Sequence, residues 1–233
     1  MKRRSIQRVP NVAEDSLLNN ILRMSDKKRT TQLQAYAAFV YLFGNRVSEA
    51  LGLPKTKETG EYYVYTRVSK KGSREVKIPK TVPVEGEWEV EPLKAWQVEI
   101  DREKGILWVR GVPTFKTGTR PLRDVWVLTD GPNEKPLIDL LWAYVQKRLE
   151  QGPDTPLFEM SRQAAYMGFR KYLGPNAFPH KLRDLRATKD ATTYGLDAKD
   201  LQEKFNWARP EMAMYYGRKN RTDIIAKMRK NTI

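Results

Sequence analysis

The hydrophobic positions near the start of the chain follow helical spacing. Residues 13–24 place four apolar side chains on one stripe, which predicts a short amphipathic helix. After a basic break (SDKKRTT), a second helical pattern runs from Leu33 to Gly44, and its AYAAFVYLF run is apolar nearly all round. A helix without a polar face is buried, so this segment is expected to form the centre of a core.

Two later regions alternate between polar and apolar residues, as strands do. Within the segment 54–92, the runs YYVYTRV and REVKIP predict one hairpin, with its turn at Lys71-Gly72. Residues 106–109 and 125–128 predict the strands of a second hairpin. Its connecting loop, FKTGTR, contains Lys116.

Helical spacing returns after the second hairpin. A turn at 130–133 (DGPN) precedes Pro136, which suits the first turn of a helix. The core stripe of that helix comprises Leu137, Leu140, Leu141, Tyr144 and Val145. Ser161 can cap the next helix, RQAAYMGFRKYL. We assign its polar face to Arg162, Gln163, Tyr166 and Arg170, and its core face to Ala164, Met167 and Leu173.

The segment 180–216 contains signals for three short helices. The first begins near Pro179 and is expected to end at Gly195, the second is capped by Asp197, and the third opens at Pro210. His180 and Arg183 are one turn apart, so they share a helix face and can address one anion. The three helices are expected to bring together His180, Arg183, Trp207 and Tyr216. Together with the two hairpins, they predict a mainly α fold with a small antiparallel β-sheet, in the α+β class.

The charge of the chain indicates a polyanionic partner. Its 233 residues carry a net charge of +15, and neutralised phosphates would release counterions. The sequence contains neither an apolar run of about 20 residues nor a signal peptide, so we expect a soluble, cytoplasmic, nucleoid-associated protein. With no cysteine and a single histidine, a disulfide is excluded and a structural zinc site is not expected. We expect no metal and no cofactor.

The last third of the chain resembles the tyrosine recombinases, the phage-integrase family. In that family, a segment HxLRHTFAT is followed by a glycine, an aliphatic-rich helix, a G-H or G-W pair and a tyrosine nine residues later. This chain has HKLR at 180–183, Gly195, Asn206-Trp207 and, at 216 − 207 = 9 residues beyond, Tyr216. It departs from the pattern at Asp184, where a second histidine is common, and at Asn206, where glycine is usual.

A second resemblance lies in the first half of the chain. The segment GNRVSEALGL is similar to the first catalytic box of the family, G-L-R-x-S-E-L-x-x-L, and Arg46, Ser48 and Glu49 occupy the matching positions. The resemblance implies that the catalytic residues are Arg46, Lys116, His180, Arg183, Trp207 and Tyr216, with Glu49 and Lys71 in support. It also implies DNA contacts by the helix that carries Arg162, Gln163 and Arg170, for which ordinary solvation is the alternative.

Two assignments within this set have competitors. Lys116 has the flanking sequence expected of the catalytic lysine, whereas Lys71 has the more ordinary distance from Arg46, 71 − 46 = 25 residues. We favour Lys116. Tyr215 competes with Tyr216 as the nucleophile, but neighbouring helical residues point about 100° apart, so only one can face a phosphate. The spacing from Trp207 selects Tyr216.

The resemblance implies a site-specific DNA recombinase or integrase, of the kind that serves viral or plasmid integration. It would cleave and rejoin double-stranded DNA through a 3′-phosphotyrosyl intermediate. The alternatives are DNA relaxation like that of a type IB topoisomerase and, from a different class, a DNA-binding protein without catalysis. The family also implies self-association in a tetrameric synapse with exchange of the C-terminal tail.

We expect three parts along the chain. Residues 1–12 form a basic arm, 13–217 form the catalytic domain with an apparent β-rich insertion at 54–92, and 218–233 form the tail. The tail carries an apolar stripe (Ile224, Ile225 and Met228), which is expected to dock on its own domain or on a neighbouring protomer.

Overall fold

A buried helix lies at the centre of the structure. The computed structural model describes residues 11–24, 28–69, 72–113, 122–131, 133–207 and 210–216. Helix α2 (Lys28–Phe43) is buried from Leu33 to its end, as the all-round apolar pattern predicted. The rings of Tyr36 and Phe39 meet Phe158 edge-on, at centroid distances of 5.2 and 5.4 Å.

The other helices contact α2 directly or through a neighbouring helix. In chain order they are α1 (Asn11–Leu22), α3 (Val47–Leu51), α4 (Lys135–Gln151), α5 (Arg162–Leu173), α6 (Pro179–Thr192), α7 (Ala198–Phe205) and α8 (Pro210–Tyr216). Helices α1, α4, α5 and α6 contact α2, whereas α7 and α8 pack against α6. A short 3-10 turn (Ala95–Gln97) joins the base of the first hairpin to the sheet.

A three-stranded antiparallel sheet closes one side of the core. Its order is β3-β4-β5, formed by Val98–Asp101, Ile106–Val112 and Arg123–Leu128. The inward side chains Leu107, Val109, Val125 and Val127 are buried. The sequence predicted β4 and β5 with shorter bounds and missed β3, because four residues are too few for an alternating pattern to stand out.

The first hairpin forms a separate two-stranded ribbon. Strands β1 (Leu53–Ser69) and β2 (Gly72–Val90) are antiparallel, and Tyr63 pairs with Ile78. Most of the ribbon's apolar side chains are exposed: Tyr62, Tyr63, Val64, Tyr65, Val68, Ile78 and Val82. The predicted strands exist, but they contribute little to the core.

Three helices have bounds that differ from prediction. Helix α1 begins at Asn11, inside the arm predicted for residues 1–12, and ends at Leu22. Helix α2 begins at Lys28, inside the segment expected to be a break. Helix α6 ends at Thr192, before Gly195. The N–H groups of Thr193 and Tyr194 both bond the Lys189 carbonyl, and Gly195 then takes a φ of 71°, which reverses the chain.

The core face predicted for α5 is correct at Leu173 and wrong at Ala164 and Met167. Ala164 and Met167 are exposed, whereas Tyr166 packs against the core. The buried residues are Ala165, Phe169 and Leu173, and the Phe169 ring lies 5.7 Å from that of Tyr36. Both faces of this helix carry apolar residues, so the packing partner decides which one is buried. The predicted Ser161 cap is confirmed by a 3.1 Å hydrogen bond from the Ala164 N–H to its side chain.

The fold class is mainly α with small antiparallel sheets, as predicted. Within the described ranges, no helix is long and apolar enough to cross a membrane.

The ribbon should be dispensable for stability. Residues 57–82 are exposed or half-buried wherever their side chains are described, so little apolar surface returns to water when they are removed. Replacing them with a two-residue Asn-Gly turn should change the free energy of unfolding by less than about 1 kcal/mol.

Urea denaturation of the shortened and intact chains measures this change. Leu107→Ala, in the buried layer of the three-stranded sheet, is the control and should cost about 2–5 kcal/mol. A loss of that size in the ribbon deletion would contradict the prediction.

Candidate active site

The site is built around the carboxylate of Glu49. Gly44 ends α2 with a φ of 62°, and Arg46 then serves as the N-cap of α3. The Arg46 backbone N–H donates to Glu49 Oε2 at 2.8 Å, and its guanidinium Nη1 donates to Oε1 at 2.7 Å. Glu49 is fully buried, so this pair is not the exposed ion pair that an isolated Arg–Glu spacing usually gives.

Three guanidinium groups converge on Glu49 from separate elements. Besides Arg46, Arg123 Nη2 at the start of β5 lies 3.2 Å from Oε2, and Arg183 Nη1 on α6 lies 4.0 Å from it. Arg123 also donates to the Lys204 carbonyl and, at 3.4 Å, to Asn45 Oδ1. It therefore joins the sheet to α3 and α7.

Arg123 is not among the site residues predicted from the sequence. The alternation of β5 contained a signal, because Arg123 stands on the same face as the buried Val125 and Val127. An arginine that points inward at the end of a strand needs a buried acceptor. In the fold that acceptor is Glu49. It lies 123 − 49 = 74 residues away in the sequence, so the local pattern of β5 does not reveal it.

The charges in this cluster shift one another's pKa values. Burial alone would raise the pKa of Glu49, but Arg123, Arg183 and Arg46 outweigh it and lower the pKa overall. Burial lowers the pKa of Arg183 to about 9, against the opposing effect of Glu49, so the guanidinium remains charged at neutral pH. Three cations thus share one carboxylate, and the excess positive charge favours an anion.

Arg183 also ties α6 to its neighbours. It is buried, with its Nη1 donating to the Gly44 carbonyl and its Nη2 donating to the Phe205 carbonyl at 2.7 Å. Its guanidinium lies over the rings of Phe205 and Trp207, 5.1 and 5.8 Å from their centroids. An arginine has five N–H donors, so these two bonds leave others for a ligand.

Three aromatic rings stack beside Arg183. Phe205 and Trp207 are 4.9 Å apart and nearly parallel, and Trp207 and Tyr216 are 5.1 Å apart with an interplanar angle of 9°. Asn206, between the first two, has φ 47° and ψ 58°. Asparagine tolerates this left-handed conformation, so it can replace the glycine that is usual at this position in the family that the sequence resembles.

The hydroxyl of Tyr216 is hydrogen-bonded to Asp184, the second residue that departs from the family pattern. It donates to Asp184 Oδ1 at 2.5 Å, and His180 Nε2 lies 3.7 Å from the same oxygen. The side chain of His180 is 62% exposed, whereas that of Arg183 is 2% exposed. The three C-terminal helices therefore do bring His180, Arg183, Trp207 and Tyr216 into one cluster.

The remaining predicted residues lie apart from this cluster or outside the description. Arg162, Gln163 and Arg170 are exposed on α5, and Ser48 is buried in α3. Lys71 and Lys116 lie outside the described residues. Tyr215 belongs to α8, but its side chain is outside the description.

A second buried charge cluster lies further along α6, and none of its members was predicted from the sequence. Arg186 Nη1 and Lys189 Nζ lie 3.3 and 3.0 Å from Glu134 Oε1, at the start of α4. Asp190 lies 2.9 Å from both Arg186 Nε and Lys204 Nζ on α7. These pairs fix α6 against α4 and α7, which sets where Arg183 and Asp184 lie.

Comparison with solved structures identifies the fold. The XerH site-specific recombinase bound to its difH substrate aligns with a TM-score of 0.57 over 95% of this chain, at 15% identity. The XerA recombinase aligns over 99% and the Tn1549 transposon integrase in complex with a circular intermediate DNA over 98%, each with a TM-score of 0.51, at 15% and 13% identity. This is the tyrosine recombinase fold.

The alignments cover only part of those proteins. The chain spans 52% of the XerH chain, 66% of the XerA chain and 67% of the Tn1549 integrase chain. Neither a scan against protein-family models nor a search of curated proteins finds a match. At these identities the likeness shows a shared fold, as the sequence resemblance predicted.

Glu49 should make stability depend on pH. Because its pKa is lowered in the folded protein, the ionised carboxylate stabilises the fold above the pKa of an unfolded glutamate, about 4.3. This contribution is lost as the pH falls through the lower pKa of the folded state. Glu49→Gln should therefore lower the free energy of unfolding by about 3 kcal/mol at pH 7, and by progressively less as the pH falls.

Denaturation of both proteins across a pH series measures the difference. Glu150→Gln, at an exposed position on α4, is the matched control and should have little effect at any pH. A Glu49→Gln penalty that is the same at all pH values would contradict the assignment.

Proposed function

We propose that this chain is a site-specific DNA recombinase or integrase that cleaves and rejoins DNA through Tyr216. The observation that carries the proposal is the position of the Tyr216 hydroxyl, which is hydrogen-bonded to Asp184 and lies in the same cluster as Arg183. The shared fold supports the same reading, because the aligned XerH structure is described as a pre-cleavage complex with its substrate.

Tyr216 is the proposed nucleophile. Its oxygen would attack a phosphodiester and hold the cleaved strand as a 3′-phosphotyrosine, which preserves the energy of the broken bond for rejoining. No nucleotide and no metal are needed for such an exchange. An unperturbed tyrosine has a pKa of about 10, so attack at neutral pH requires charge stabilisation and removal of the phenolic proton.

The arginines supply the charge stabilisation. Arg46 is the more accessible, with 24% of its side chain exposed, whereas that of Arg183 is 2% exposed. A phosphodiester gains negative charge as it becomes a phosphorane, and two guanidinium groups can hold its non-bridging oxygens. We assign Arg123 and Glu49 the task of holding both arginines in place, since Glu49 contacts all three guanidinium groups.

Three further residues complete the proposed machinery. Lys116 is assigned as the acid that protonates the leaving 5′ oxygen, with Lys71 as the competing candidate. His180 lies one helical turn before Arg183 with its imidazole exposed, and we assign it a role in proton transfer. Trp207 packs against Tyr216, and we assign its indole N–H as a donor to a phosphate oxygen.

Double-stranded DNA is the proposed partner, in the cytoplasm and associated with the nucleoid. The net charge of +15 supports this, and the exposed Arg162, Gln163 and Arg170 of α5 have the chemistry of base-edge and phosphate contacts. The Tn1549 integrase was solved in complex with DNA. We also propose a tetrameric synapse with exchange of the tail 218–233, which lies outside the described residues.

Tyr216→Phe tests the nucleophile. The probe is a library of nicked duplexes, randomised for one helical turn on each side of the nick, from which the native protein captures covalent adducts. The substitution removes only the hydroxyl, so it should abolish the adduct on a denaturing gel and leave DNA affinity unchanged. Tyr215→Phe is the matched control. An adduct that survives in Tyr216→Phe and disappears in Tyr215→Phe would reverse the assignment.

The captured duplex also separates recombination from relaxation. Strand exchange between two copies of that sequence supports a recombinase, whereas relaxation of a supercoiled plasmid that lacks the sequence supports a type IB topoisomerase.

A bridging-sulfur substrate tests the acid. If Lys116 protonates the leaving oxygen, Lys116→Ala should slow cleavage about a hundredfold or more. A 5′ bridging sulfur, whose leaving group needs little protonation, should restore most of the rate. Lys71→Ala is the control and should mainly weaken binding. Rescue of the Lys71 variant instead of the Lys116 variant would exchange the two roles.

A further inference from the structure

The hydrogen bond between Tyr216 and Asp184 joins two helices at the proposed point of attack. Its O···O distance of 2.5 Å is within the range of short bonds between a hydroxyl and an ionised oxygen. Stacking on Trp207 fixes the ring, and Asp184 is fixed by its place on α6, directly after the buried Arg183. The phenolic proton therefore already points at a carboxylate.

We propose that Asp184 is a catalytic residue, the proton acceptor for Tyr216 during cleavage. The inference rests on the proposed function. As the bond from the Tyr216 oxygen to phosphorus forms and the bond from phosphorus to the 5′ oxygen breaks, the phenolic proton moves to Asp184 Oδ1. The leaving 5′ oxygen takes its proton from the separate acid, assigned above to Lys116.

Rejoining reverses each transfer. The 5′ hydroxyl attacks phosphorus and returns its proton to the acid, while the bond from phosphorus to the Tyr216 oxygen breaks. That oxygen recovers its proton from Asp184. No oxidant, reductant or co-reactant is required, and each proton ends where it began.

The surrounding groups favour Asp184 over the other carboxylate of the site. Glu49 is fully buried and contacts three guanidinium groups. Within the part of the chain that the structure describes, two charged or titratable groups face the Tyr216–Asp184 pair. His180 lies 3.7 Å from Asp184 Oδ1, and the charge of Arg183 interacts with the Tyr216 hydroxyl. The positive charge of Arg183 favours the developing phenolate.

The position of Asp184 provides a conservative rescue. Histidine is common there in the family that the sequence resembles, and histidine is also a proton acceptor. Asp184→Asn keeps the size of the side chain and removes the basic oxygen, whereas Asp184→His restores an acceptor that titrates nearer to neutral pH. These two variants separate proton transfer from mere positioning of the ring.

The test measures the rate of adduct formation on the captured nicked duplex over a pH series. Asp184→Asn should lower the rate about a hundredfold or more at unchanged DNA affinity. Asp184→His should restore much of the rate and move the acid limb of the pH–rate profile towards neutral pH. Asp139→Asn, on the exposed face of α4, is the matched control and should behave like the native protein.

A second measurement guards against a folding defect. Replacing Tyr216 with the more acidic 3,5-difluorotyrosine reduces the need for a base. In that background, the rates of adduct formation with and without Asp184→Asn should therefore differ less than they do with tyrosine. A structural role of Asp184 predicts no narrowing.

The outcomes distinguish two failures. Equal rates of adduct formation for the native protein and Asp184→Asn would overturn this inference alone. So would a slow Asp184→Asn variant if Asp184→His is equally slow and difluorotyrosine at position 216 does not raise the rate. Absence of any adduct with the native protein would overturn the proposed function and, with it, this inference.

Discussion

The buried carboxylate of Glu49 is the constraint on which the site depends. An ion removed from water costs several kcal/mol unless it is paired, and here the pairing groups come from the turn before α3, the start of β5 and the middle of α6. The sheet and two helices must meet at this point for the charge to be tolerated. Because three cations share one carboxylate, the pairing that stabilises the fold also leaves a positive site for an anion.

Helix α6 shows how charge replaces apolar packing in part of this core. Its buried face includes Arg183, Arg186, Lys189 and Asp190, each with an oppositely charged or hydrogen-bonding partner on another element. Breaking one buried pair leaves an uncompensated charge, so this arrangement resists small shifts of the helix. The same rigidity sets the positions of Arg183 and Asp184, and the proposed strand transfer would need groups held in place in this way.

The connection between α7 and α8 places the proposed nucleophile. Asn206 turns the chain in a left-handed conformation, and the turn allows Phe205, Trp207 and Tyr216 to stack in succession. The stack fixes the plane of the Tyr216 ring, while Asp184 fixes the direction of its hydroxyl. Both departures from the family pattern thus have a structural explanation: one residue shapes the turn, and the other binds the hydroxyl.

The sequence by itself determined the features that depend on neighbouring residues. The all-round apolar run gave the central helix, and the Ser161 and Asp197 caps marked helix starts that the structure confirms. The resemblance to the tyrosine recombinases grouped Arg46 with Arg183, Trp207 and Tyr216, because each of the matching motifs is a short run of sequence. Helical periodicity, helix caps and short motifs each depend on residues close together in the chain, so they can be recognised in the sequence.

Only the tertiary structure decided the features that depend on a distant partner. The buried face of α5 follows from its contact with α2, and the roles of Arg123 and Asp184 follow from Glu49 and Tyr216, which are far away in the sequence. An arginine or aspartate in isolation is compatible with solvent, a surface pair or a buried site. The local sequence does not distinguish between these environments. The burial of such a side chain and the partner it bonds are decided by the packing of the whole fold.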